Sequence, residues 1–198
     1  MRNAAVSAIV GLFAVLAATA AHAQWNKEPT HVFGVELGRD LSASSVARCV
    51  APSRDNNFAA SVVLCLDGIA VDAREITLRN LNLPGVDTAT VQMDEGVVRS
   101  IRIDFHHNYY QPMRSALVER FGVATRTQMG TVTTLLNVSL RTETVRWDGG
   151  RNSIVLNERV GTIEDSVLIF SNNVASKMRV EKDVERRSSA AKDAAGRF

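Results

Sequence analysis

Two stretches of the chain, 62–105 and 131–170, are each divided into short β-prone runs whose separating turns are too tight for a crossover. Parallel neighbours need a connection of a dozen residues or more, so the pairing within each stretch must be antiparallel. The runs are Val62–Leu66, Glu75–Arg79, Ala89–Met93 and Val97–Phe105, then Thr131–Val138, Thr142–Trp147, Ser153–Glu158 and Ser166–Phe170. Asp94-Glu95-Gly96 is a hairpin signal, Asp148-Gly149-Gly150 makes another turn, and Val160-Gly161-Thr162 opens the next. Val97–Phe105 alternates with a period of two. It sends Ile101, Ile103 and Phe105 to a buried face and Ser100, Arg102 and Asp104 to the opposite one, with Arg99 at the edge of the apolar side.

A helix precedes each set of strands. Asp40 or Ser42 suits the cap of a short helix running to about Val50. Tyr109 to Phe121 carries Met113, Ala116, Leu117 and Phe121 on one stripe, with Pro112 in its first turn and Gly122 as its stop. The expected class is α+β: an antiparallel sheet covered on one face by two short helices, in tandem helix-plus-meander halves at 33–105 and 109–171. The core expected from this pattern is Val35, Leu37, Val46, Ile76, Leu78, Val91, Ile101, Ile103, Phe105, Leu117, Phe121, Val145, Trp147, Ile154, Leu156, Leu168 and Phe170. Residues 174–198 read as a charged tail, helical or disordered: a polar helix whose composition turns to Ser, Ala, Lys, Asp and Gly after Arg187 and which frays near the C-terminus.

The N-terminus addresses the compartment. Arg2 precedes an uncharged run from Ala4 to Ala21, and Ala21-His22-Ala23 places small residues where a signal peptidase reads. Residues 1–23 therefore read as a cleavable signal peptide and 24–173 as a single domain. The uncharged run is short and Ala-rich, with no following basic cluster, so no stable membrane anchor is expected. Cys49 and Cys65 are the only cysteines. In an oxidising compartment they would pair across a loop rich in Asn, Asp and Ser, worth about 3 kcal/mol by loop entropy. The expected location is periplasmic or secreted.

Charge narrows the partners. From Val174 to Phe198 there are seven basic and four acidic residues, while Gln24–Asn173 holds 15 basic and 17 acidic. A nearly neutral body argues against nucleic acid as the main partner.

One stretch resembles a known architecture. A helix, then Arg120-Phe121-Gly122-Val123-Ala124-Thr125-Arg126, then a strand ending in Trp147, then Ile154-Val155-Leu156 and Val167–Phe170, is similar to the helix-plus-meander unit of the β-lactamase-inhibitor-like proteins and the related outer-membrane assembly lipoprotein. The resemblance covers residues 109–171 and, more faintly, 33–105. This chain has Ala124 where that family often has Pro, and it lacks a lipidated Cys. The resemblance implies a protein-binding module and no reaction.

The candidate sites follow from residue type. Arg79, Arg102 and Arg146 fall on the polar strand positions, where planar guanidinium groups suit carboxylates. Tyr109 and Tyr110, near His107 and Trp147, suit a recognition patch. Asp104 and His106 share a strand face and are the only candidate metal pair, short of the ligands zinc requires. No G-x-S-x-G occurs, and the paired acids Asp94-Glu95 and Glu164-Asp165 lie in or beside turns, as solvated acids do. The chain is thus read as a non-enzymatic exported module without cofactor or metal, binding a protein of the cell envelope or exterior through its sheet face. The alternatives are a metal-dependent or hydrolytic periplasmic enzyme centred on Asp104 and His106, and a small-ligand carrier. The export reading predicts that N-terminal sequencing of the protein recovered outside the cytoplasm begins at Gln24. An uncleaved chain with free thiols in a cytosolic extract contradicts it.

Overall fold

A computed structural model describes residues 28–49, 64–67, 74–134 and 136–195. The signal peptide expected at 1–23 lies outside the described residues, as does most of the loop between the cysteines. In chain order the elements are β1 (His31–Val32), β2 (Val35–Glu36), β3 (Cys65–Asp67), β4 (Glu75–Arg79), β5 (Val86–Asp94), β6 (Val97–His106), α1 (Tyr110–Phe121), β7 (Arg126–Thr133), β8 (Ser139–Asp148), β9 (Asn152–Asn157), β10 (Asp165–Asn172) and α2 (Asn173–Ala195).

The fold is mixed α+β, built on one large antiparallel sheet of order β3-β4-β5-β6-β10-β9-β8-β7. The order is one four-strand meander read forwards and a second read backwards. They meet through their last strands, β6 against β10, in register from His106↔Asp165 to Ser100↔Ser171. The β5–β6 turn needs positive φ at both central residues. Glu95 (52°) and Gly96 (82°) supply it, and that geometry matches the twist of the flanking strands.

Strand register sorts the side chains. Val91, Ile101, Phe170, Ile154 and Trp147 are successive partners across five strands, and so are Ala89, Ile103, Leu168, Leu156 and Val145. All ten are buried. Fully burying a side chain such as Ile, Leu or Phe is worth about 1.5–3 kcal/mol, so these two rows dominate the stability of the sheet. Helix α1 covers them. Leu117 is buried, the Phe121 and Phe170 rings meet edge-on at 6.5 Å, and the Trp147 indole N–H donates to the Gly122 carbonyl at 2.9 Å.

The rest of the core comes from the N-terminal segment. Val32, Val35, Leu37 and Leu41 join the same cluster, and Gly38 N donates to Val98 O while Val98 N donates to Arg39 O, each at 2.8 Å, which lays the segment along the start of β6. The Glu28 carboxylate accepts from the backbone N–H groups of Gly150, Arg151 and Asn152 and so closes the β8–β9 turn.

Several local expectations are corrected. The helix expected from Asp40 or Ser42 to Val50 is only a 3-10 turn at Leu41–Ala43, and no helix continues through residue 49. Asp40 does cap it, accepting from Ser42 N at 2.8 Å. Ser44 then turns its hydroxyl to Gly34 O and to Val46 N, local bonds that compete with helix continuation. The strand expected at Thr131–Val138 is β7 at Arg126–Thr133, and Asn137, at a φ of 60°, lies in the turn that leads to β8. The tail is helical, and α2 runs to Ala195, in keeping with its Ala, Lys and Arg content. Val46 and Phe121 are only partly buried, whereas Leu66, Met93, Val98 and Tyr110 are core residues the pattern missed.

The disulfide is present. Cys49 and Cys65 are bonded, with Cα atoms 4.9 Å apart. The bond holds residues 47–49 beside β3, where Cys49 N donates to Leu66 O and Leu66 N to Ala47 O, each at 2.9 Å. Trp147→Ala removes one of the largest fully buried side chains and is expected to cost about 3–5 kcal/mol, read as a lower midpoint in urea unfolding.

Candidate functional site

The sheet has a second face. Thr77, Thr90, Arg102, Ile169, Val155, Arg146 and Arg126 are successive partners from β4 to β7, and they point away from the α1 rows. All three strand arginines expected on the polar face are found there. Each is already paired with an aspartate. Arg102 holds Asp104 through Nε at 2.9 Å, Arg79 holds Asp67 at 2.7 Å, and Arg146 lies 3.4 Å from Asp148. Asp104 also accepts from Thr88, and its hydrogen bond raises the Arg102 pKa further above the guanidinium's ordinary value.

Between the Arg102 and Arg146 couples lies an apolar band from β9 and β10. Val167 is 1% exposed, and Val155 and Ile169 are half-buried beside it. An apolar centre flanked by polar, charge-balanced groups has the anatomy of a protein interface. Guanidinium groups that keep their carboxylates do not act as free cationic hooks, which departs from the simple carboxylate-recognition expectation.

One end of this face is occupied by α2. Ser100, Ser171 and Ser153 are cross-strand partners, and Ser100 and Ser153 are buried where α2 leaves β10. The Ser153 hydroxyl bonds to Asn173 Oδ1 at 3.0 Å. Farther along, Arg179 reaches Asp94 at 2.7 Å and Lys182 reaches Glu95 at 2.8 Å, and these bonds raise the pKa of both cations. Asp94 and Glu95, read from the sequence as ordinary solvated turn acids, therefore anchor α2.

The other expected residues disperse. Asp104 is engaged by Arg102, and His106 Nδ1 accepts from Asn108 N at 3.2 Å, capping the turn before α1. Among the described residues no group of three or more His, Cys, Asp or Glu is placed to hold a metal ion. Tyr109 is partly exposed, with its ring over Gly85, where a Cβ would sit 1.9 Å from a ring carbon. Tyr110 is 1% exposed, which removes it from any binding surface. Its aromatic body fills the core, and its hydroxyl donates to Glu143 at 2.8 Å.

That bond leads to a polar cluster the sequence reading overlooked. Arg114 Nε lies 3.1 Å from Glu143, while Arg159 contacts both Glu158 and His107 at 2.9 Å. The signal was Glu143 itself. It shares strand parity with Val145 and Trp147, and an acid on an apolar face needs a partner. No protein-family model matches the chain, and no curated protein or solved structure matches it either.

Burial, then the Glu143 carboxylate, pushes the Tyr110 hydroxyl far above its ordinary value. The raised pKa means the folded state keeps a proton that the unfolded chain releases near pH 10. Its stabilisation is complete below about pH 10 and declines as the pH climbs toward the folded value. Tyr110→Phe is expected to lose about 1–2 kcal/mol at neutral pH and to flatten the alkaline limb of the stability curve, measured by urea unfolding across pH.

Proposed function

We propose that the chain is an exported, disulfide-bonded binding module. It engages a protein of the cell envelope or exterior through the sheet face opposite α1, as an inhibitor, adaptor or accessory factor. The observation that carries this reading is the half-buried pair Val155 and Ile169, cross-strand partners beside the buried Val167 and flanked by the Arg102–Asp104 and Arg146–Asp148 couples. Such a face offers apolar area at its centre and directional hydrogen bonding at its margin, the combination that protein partners use.

Three further features support the reading. The Cys49–Cys65 bond belongs with an oxidising compartment. No helix among the described residues is long and apolar enough to cross a membrane. The neutralised arginines and the slightly acidic body do not favour a phosphate backbone.

The test is capture from an envelope extract with wild type and Ile169→Asp, a half-buried position at which folding is verified by the thermal transition. Wild type is expected to recover a stoichiometric protein that the variant loses. Recovery of no such protein by wild type, or equal recovery by both, overturns the reading.

A further inference from the structure

The two ends of the large sheet are treated differently. At the β3 end, the disulfide-held residues 47–49 occupy the edge. At the other end, β7 has no strand beyond it among the described residues. Exposed edges are normally blunted with charge, proline or shortness, because their free backbone groups recruit further strands. Strand β7 has eight residues and no proline, and from Thr127 to Leu140 the chain carries no charge at all.

The direction of its free groups is set by the hairpin. Thr134 N donates to Val138 O and Asn137 N to Thr134 O, so Thr134 turns both its backbone groups toward β8. The β7–β8 register is continuous from Arg126↔Arg146 to Thr133↔Ser139. By the alternation of an antiparallel ladder, Thr127, Met129, Thr131 and Thr133 direct their N–H and C=O groups outward.

The apolar side chains around this edge have a matching order. Val123, just before β7, is 78% exposed, and Leu136, just after it, is 87% exposed. Met129 in the middle is 54% exposed. A second copy of the same edge, paired antiparallel about Gly130, sets Met129 opposite Thr131 and Thr127 opposite Thr133. These are outward-facing residues that can exchange both of their bonds. The same two-fold operation brings Leu136 of each copy beside Ala124 and Val123 of the other. Gln128 faces Val132 and Arg126 faces Thr134, so no like charges oppose. Lipid supplies no backbone partner for these groups and does not suit the edge.

We infer that β7 is a self-association edge, through which two copies of this chain join their sheets about a two-fold axis at Gly130. The partner is a second copy because the strand complements itself, in backbone direction, in charge and in the placement of Val123 and Leu136. The inference is independent of the reading of the open face.

Sedimentation velocity of the purified, disulfide-bonded protein over a concentration series tests it. Wild type is expected to pass from monomer to dimer. Thr131→Pro removes an outward N–H, on the side where an edge strand tolerates proline, and is expected to stay monomeric, as is Leu136→Asp. Thr131→Val keeps the N–H and is expected to dimerise. A mixture of Met129→Cys and Thr131→Cys proteins is expected to form an intermolecular disulfide on mild oxidation, because these positions oppose each other. A wild type that remains monomeric throughout overturns the inference, including the case in which the edge captures a strand of another protein. A dimer indifferent to Thr131→Pro and Leu136→Asp overturns it equally.

Discussion

The antiparallel pairing of β6 with β10 joins the two meanders, and both faces of the sheet are assembled across that seam. On the covered side, Ile101, Ile103 and Phe105 come from one meander and Leu168 and Phe170 from the other, and α1 lies over residues from both. On the open side, Arg102 and Asp104 stand next to Ile169 and Val167 only because β6 and β10 are neighbours. Neither half alone carries a complete core or a complete apolar band. The helix itself belongs to the connection between the meanders, so the segment that links the halves also seals them.

Charge in this molecule is spent mainly on internal placement. The three strand arginines hold aspartates on neighbouring positions, Arg179 and Lys182 hold the acids of the β5–β6 turn, and Arg114 and Arg159 hold Glu143 and Glu158. Exposed couples of this kind contribute little to stability individually. Their effect is orientation: Asp94 and Glu95 fix where α2 crosses the end of the sheet, and the Arg–Asp couples keep the open face polar without a strong net field. The Tyr110–Glu143 bond is of another kind, because loss of Glu143 takes away the partner of a hydroxyl on a buried residue.

The sequence was most legible where one physical signal dominated. Alternation in Val97–Phe105 placed β6 within a residue and assigned the faces from Ser100 to Phe105, but not that of Val98, which enters the core beside the register shift at Gln92 and Met93, and the glycine in Glu95–Gly96 located the hairpin. The arginines could be assigned to a face by strand parity. Their aspartates stand two residues along the same strand, or on an adjacent strand in the case of Arg79, and the chain contains many such pairs that never meet. Reading failed where the signal was absent. Strand β7 is exposed on nearly every residue, so it shows no apolar alternation, and the apolar residues that follow drew the expected strand toward the turn. The helix expected near Val46 failed because serine hydroxyls took backbone bonds that a helix would have needed. Tyr110 looked like a surface aromatic because its partner lies in β8, far away in sequence.

The strand order also fixes a sequence of events. Whether emerging from a ribosome or threaded through a membrane, the chain presents β6 long before β10 exists to meet it. The first meander can close through local hairpins, but its terminal strand then waits with a vacant side until the second meander has arrived, and joining residues so distant in the chain is slow. During that delay the nascent protein displays an unsealed sheet, and its survival depends on the remainder of the polypeptide being delivered before another strand finds the gap.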